Sequence, residues 1–231
     1  MRSIYAGVRQ IASTPCRAGN SEQKRAAILQ AAVAVFSKGG YEAAGMDAIA
    51  AEAGVAKQTI YNHFGSKDGL FRAIVADLAE ELLATLPTGR AVAQAALPAG
   101  GAPRQVLRAL GRQFVALMLR PSSLALHRLV VAEAERFPEL ARELYWSGPD
   151  HAVRSLAGWL AGETAKGTLA VTDPGTAAEQ FYGMLMGHMQ LRALLCVDPD
   201  PCPARREHAV EAAVDAFLQV HGARRATGAA R

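Results

Sequence analysis

From residue 21 onward, apolar side chains recur at three- and four-residue spacing between glycine and proline breaks, which is the period of helices. Ile28, Ala31, Ala32, Val35 and Phe36 form the first stripe, opened by Ser21 as an N-cap and stopped by Gly39 and Gly40. Residues 46–53 repeat the period with Ile49 and close at Gly54, and residues 57–64 give another short run that ends at Gly65 and Ser66. A longer helix starts near Ser66, with Asp68 suited to its N-terminus, and carries Leu70, Phe71, Ile74, Leu78 and Leu82 toward Pro87. After a link rich in Pro, Gly and Ala at 87–103, helical periodicity returns over 104–119, 122–136, 138–145, 149–166, 173–196 and 203–221. The period-two alternation of strands is missing. The pattern predicts an all-α chain, with a three-helix head before an antiparallel body of five or six helices.

Composition narrows the function classes. With 231 residues, 51% of them hydrophobic and 20% charged, the chain can bury a core and is neither disordered nor collagen-like. No run of about 18 apolar residues escapes charge or proline, and residues 4–11 lack the apolar core of an export signal, so a membrane partner is not expected and a cytoplasmic location is. Cys16, Cys196 and Cys202 are odd in number and lack metal spacing, which speaks against a disulfide framework or a zinc site, and no cofactor is expected. Cys196 and Cys202 bracket Val-Asp-Pro-Asp-Pro and read as an incidental pair in a turn rather than a redox sensor. The histidines show no ligand spacing, no glycine-rich phosphate loop or nucleophile elbow is present, and Glu133, Glu135 and Glu139 are spaced like exposed helix charges, so an enzyme is not expected.

Net charge is only +4, but its distribution is uneven. Residues 1–70 carry eight basic against five acidic groups, and four of the five lysines (Lys24, Lys38, Lys57 and Lys67) lie there. Residues 46–64 then offer a short support helix, a turn containing Gly54, and a second helix whose polar side chains crowd together: Lys57, Gln58, Thr59, Tyr61, Asn62 and His63, with Lys67 close behind. Gln and Asn can pair with adenine through two hydrogen bonds, Lys reaches guanine acceptors or phosphate, and Tyr and His hold phosphate oxygens. The kit suits duplex DNA.

The run from Ala48 to Phe71, with its Gly-Val turn, its Thr-Ile-Tyr-x-His-Phe core and its Ser-Lys-x-x-Leu-Phe entry to the next helix, resembles the DNA-binding head of the tetracycline-repressor (TetR) family of bacterial transcription regulators over residues 21–75. The body, through Val-Val-Ala-Glu-Ala-Glu-Arg-Phe-Pro-Glu-Leu at 130–140 and the helix over 181–195, resembles one of that family's regulatory domains. The resemblance implies that Lys57, Gln58, Thr59 and Asn62 face the groove while Tyr61, His63 and Lys67 grip the backbone. Gly45 and Ala56 depart from the hydroxyl residues common at the two helix starts, leaving Asp47 or water as alternative caps.

A head this small needs two copies on half-sites about 34 Å apart, so a homodimer on a palindromic operator is expected. Phe181, Leu185, Leu191, Leu195, Val210, Val214, Phe217 and Leu218 are the candidates for the dimer surface, with the monomer core as the other use for them. Phe114, Met118, His127, Tyr145, Trp146, Trp159, Phe181, Met184 and His188 are the candidate lining of a site for a small-molecule effector. The expected organisation is a flexible arm at 1–20 with Arg2, Arg9 and Arg17, a helix-turn-helix domain at 21–66, a regulatory and dimerisation domain at 67–222, and a flexible tail at 223–231. The function implied is a repressor released from its operator by the effector. The rival class is a helical small-molecule carrier or enzyme that keeps a degenerate head.

Overall fold

The computed structural model describes residues 20–84 and 102–223. Nearly all of the expected arm at 1–20, of the link at 87–103 and of the tail at 223–231 therefore lies outside the described residues. Among the described residues the regular elements are all helices: α1 (Asn20–Ala43), α2 (Met46–Ala53), α3 (Lys57–Phe64), α4 (Lys67–Ala84), α5 (Pro103–Met118), α6 (Pro121–Ala132), α7 (Pro138–Ser147), α8 (Pro149–Ala165), α9 (Pro174–Met186), α10 (Met189–Leu194) and α11 (Pro203–His221). Proline opens every helix from α5 onward except α10, because its fixed φ suits the first turn and its missing N–H is one the helix would not use.

The chain divides into two compact units. The first holds the described residues up to Ala84 together with Arg120–Leu144; the second holds those from 102 to Leu119 together with Tyr145 onward. In the first unit Ile28, Phe36, Ile49, Ile60, Leu70, Phe71 and Ile74 are almost wholly buried, and Leu126 and Phe137 join them from the later segment. Gly40, at φ 72, puts a kink in α1, which resumes for a last turn through Ala43 instead of stopping. Gly54, at φ 66, makes the sharp turn after α2 and donates its N–H to the Ala50 and Ala51 carbonyls. A side chain there would cost about 1–2 kcal/mol. Ser66 accepts the Gly69 N–H on its Oγ at 3.0 Å and so fixes the start of α4.

In the second unit α5 lies along α11 and meets α9 at Gly111, where a Cβ would come within 2.9 Å of Leu185 and 3.1 Å of Val210. A ladder of ion pairs runs beside this contact. Arg104 pairs with Asp215, Arg108 Nη2 donates to Glu211 Oε2 at 2.7 Å, and Arg112 Nε donates to Glu207 Oε2 at 2.9 Å. The steps of four residues on both helices put all three pairs on one seam.

One expected helix is shortened and another is divided. The run over 122–136 ends at Ala132, and a turn over 133–137, closed by the Phe137 N–H on the Glu133 carbonyl at 2.9 Å, leads to Pro138. The run over 173–196 breaks at Gly187, whose φ of 45 ends α9 before α10 begins, and Cys196 closes α10 at φ 58. The body consequently has more and shorter helices than its periodicity suggests. Asp173 caps α9 by accepting the Gly175 and Thr176 N–H groups, and the Thr176 hydroxyl and N–H hold its carboxyl below the usual aspartate range.

Candidate DNA-binding surface and regulatory body

Helix α3 is anchored by one fully buried side chain, Ile60. Thr59, His63 and Phe64 are half-buried beside it, and the opposite face carries Lys57, Gln58, Tyr61 and Asn62, all exposed. Those four occupy positions i, i+1, i+4 and i+5, a single stripe along the helix. Neither short helix has a side-chain cap: Gly45 and Ala56 stand at the two N-cap positions without a hydrogen bond from their own side chains.

Hydrogen bonds already engage three of the four side chains of the stripe. Lys57 Nζ donates to Asp47 Oδ2 at 2.9 Å, across the turn from α3 to α2, and this carboxylate raises the lysine's pKa. Asp47 is thus the partner of Lys57 and not the cap of α2. Gln58 Nε2 donates to Asn62 Oδ1 at 2.9 Å. That bond leaves the Gln58 oxygen, its second N–H and both Asn62 N–H groups for other partners, enough to read an adenine edge.

Lys67 is half-buried at the first position of α4. Its ammonium donates to the Glu42 carbonyl at 3.2 Å and lies 4.5 Å from the centre of the Tyr41 ring. Burial, and then the hydrogen bond that Tyr41 donates to Asp68, push the Tyr41 hydroxyl pKa upward. Tyr41 itself is packed against Phe36, Phe71 and Phe137 at 5.4–5.6 Å between ring centres.

The candidate effector residues are scattered by burial. Phe114 is half-buried with its ring 4.4 Å from that of Tyr182, and Met118 is buried. Tyr182 escaped the sequence reading. It is buried on α9, its hydroxyl reaches the Ala152 carbonyl at 3.4 Å, and burial raises its pKa. Trp159 is half-buried on α8, whereas Tyr145 and Trp146 are 52% and 56% exposed and pack edge to face on each other at 5.1 Å. Met184 and His188 are exposed. His127 belongs to the other compact unit, where its Nδ1 lies 2.7 Å from the Ser123 carbonyl.

The dimer candidates separate as sharply. Phe181, Leu185, Val210, Val214 and Phe217 are buried within the protomer, with Phe181 and Phe217 packed edge to face at 5.3 Å. They fill the space that α5, α9 and α11 enclose, so they face their own chain. Leu191 and Leu195 are 52% and 65% exposed, Leu218 is half-buried, and Val197 and Val220 are exposed nearby in sequence.

Comparison with known proteins supplies the family. Residues 28–74 match the family model of bacterial regulatory proteins of the TetR family, and residues 105–223 match the C-terminal domain of AefR-like transcriptional repressors. The chain is 48% identical over 54 residues to the HTH-type transcriptional activator FasR of Mycolicibacterium smegmatis, a match that covers 23% of this chain and 25% of that protein. A solved structure of a TetR-family regulator from Mesorhizobium loti MAFF303099 is 31% identical with a TM-score of 0.72, covering 89% of this chain and all of that one. The flavonoid-responsive regulator FrrA is 33% identical with a TM-score of 0.65, covering 88% of this chain and 99% of its own. Among the described residues no single helix is long and apolar enough to cross a membrane. A helix-turn-helix head with a polar outer stripe, joined to a body of this type, makes the chain a member of the TetR family of DNA-binding transcription regulators.

Proposed function

We propose that the chain is a homodimeric repressor that binds a palindromic operator through α3 and is released by a small-molecule effector held in its body. The observation that carries the reading is the exposed stripe of Lys57, Gln58, Tyr61 and Asn62 on a helix whose one fully buried side chain is Ile60. Gln58, Asn62, Thr59 and Lys57 read base edges, and Tyr61, His63 and Lys67 hold phosphates. The DNA-binding domain is taken as residues 21–66 and the regulatory domain as 67–222. Repression is supported by the body's likeness to AefR-like repressors, while FasR, an activator, is matched over a quarter of its length only.

The effector is placed against Phe114, Met118 and Tyr182, groups of the second unit that combine apolar surface with one buried hydroxyl. FrrA responds to flavonoids, which makes aromatic polyphenols the first class to try. Such a ligand acts by binding the DNA-incompetent arrangement more tightly than the competent one, since equal affinity shifts nothing.

The test is selection of bound duplexes from a random-sequence pool. The expected result is a two-fold symmetric site whose affinity falls steeply with salt. Lys67→Ala should weaken all duplexes alike and lower the salt slope by about one, while Gln58→Ala should relax preference at particular bases. Recovery of no symmetric site, or equal loss from both substitutions on every sequence, overturns the reading.

A further inference from the structure

We propose that Arg136, in the turn between α6 and α7 and far from the helix-turn-helix in sequence, is a positioning residue for the phosphate contact of Lys67. The proposal rests on reading Lys67 as a phosphate contact.

Two groups hold the Lys67 ammonium: the carbonyl of Glu42, at 3.2 Å, and the Tyr41 ring, at 4.5 Å. Arg136 engages both of those residues. Its guanidinium carbon lies 4.3 Å from the Tyr41 ring centre and its Nη1 pairs with the Glu42 carboxylate. The same turn adds two further ties. Glu133 accepts the Tyr41 N–H at 3.3 Å, and Phe137 packs on Tyr41 at 5.4 Å and on Phe71 at 4.9 Å. Arg72 pairs with Glu139 at 2.6 Å and lies 5.2 Å from the Phe137 ring, which closes the junction from the side of α4.

An ammonium has three N–H donors. A carbonyl and a ring face take up two of them, and the third has no protein partner among the described residues. A long, flexible side chain normally loses rotamer freedom when it grips a phosphate; one already held by two neighbours loses less. Arg136 fixes the two neighbours, and so the preorganisation of Lys67 depends on a segment that no helix-turn-helix pattern includes.

The experiment measures binding of a fluorescein-labelled random-sequence duplex against salt for wild type, Lys67→Ala, Arg136→Gln and the double variant. Lys67→Ala alone reports whether Lys67 grips phosphate at all, so failure of that reading shows separately. The expected result is that Arg136→Gln weakens binding several-fold in the wild-type background and adds no loss in the Lys67→Ala background. Arg136→Lys, which keeps a cation over the ring, should restore most of the affinity. A second readout needs no DNA: in protein carrying 13C-dimethylated lysines, the Lys67 signal is displaced by the Tyr41 ring current and returns to the position of an ordinary exposed lysine in Arg136→Gln. The Arg136 side chain is 43% exposed, so its replacement leaves the core intact, and unshifted Lys24 and Lys57 signals report that. Unchanged binding in Arg136→Gln overturns the proposal. So does an equal, additive loss in both backgrounds with its own drop of about one in salt slope, the mark of a direct phosphate contact.

Discussion

Lys57 pairs with Asp47 at 2.9 Å, and both side chains are exposed. On the proposed recognition surface a carboxylate works against binding twice, by occupying the lysine and by repelling phosphate. Asp47→Asn should therefore tighten binding to any duplex by about two- to fivefold, the range open to an exposed pair, with the gain shrinking at high salt; titration at two ionic strengths checks it. The sequence made Lys57, Gln58 and Asn62 legible because all three lie on one short helix and its period orders them. It did not reveal that Asp47 and Lys57 pair, because the contact crosses the Gly54 turn. Nor did it reveal Tyr182, since a buried tyrosine inside an apolar stripe looks like any other core position.

At the level of elements, the helices opened by proline were legible and the division at Gly187 was not. Proline blocks a helix wherever it falls inside one, whereas Gly187 has no sequence mark for the φ of 45 that ends α9. Periodicity also marks which side of a helix is apolar without saying what covers it. That is why Phe181, Leu185, Val210, Val214 and Phe217, candidates for a surface between copies, turn out to be buried inside the protomer. The contact of α5 with α9 and α11 depends on a missing side chain. Gly111→Leu would drive several atoms into Leu185 and Val210 and should destabilise the second unit by about 1–3 kcal/mol, read as a lower urea midpoint. The helical signal of α3 and its neighbours should persist.

For the whole molecule, the proposed symmetric operator requires a second copy of the chain. The exposed leucines at the end of the body are the groups left for a second copy once the buried ones are set aside. Leu195, at 65% exposure, can be made charged without disturbing the protomer's core. Leu195→Glu should sediment as a monomer with unchanged helical content and should lose at least about tenfold in affinity for a symmetric site, because a single head keeps only half of the contacts. Unchanged sedimentation would place the partner surface elsewhere.

The compact unit that contains the DNA-reading head is built from two separated stretches, one finishing at Ala84 and one running from Arg120 to Leu144, with Phe36, Tyr41 and Phe71 from the first sharing a cluster with Phe137 from the second. Anyone grafting this reader onto another sensor by a single cut after α4 would carry off one wall of a room and leave its aromatic furniture in the open. A working hybrid has to take both stretches, and with them the corner that steadies Lys67.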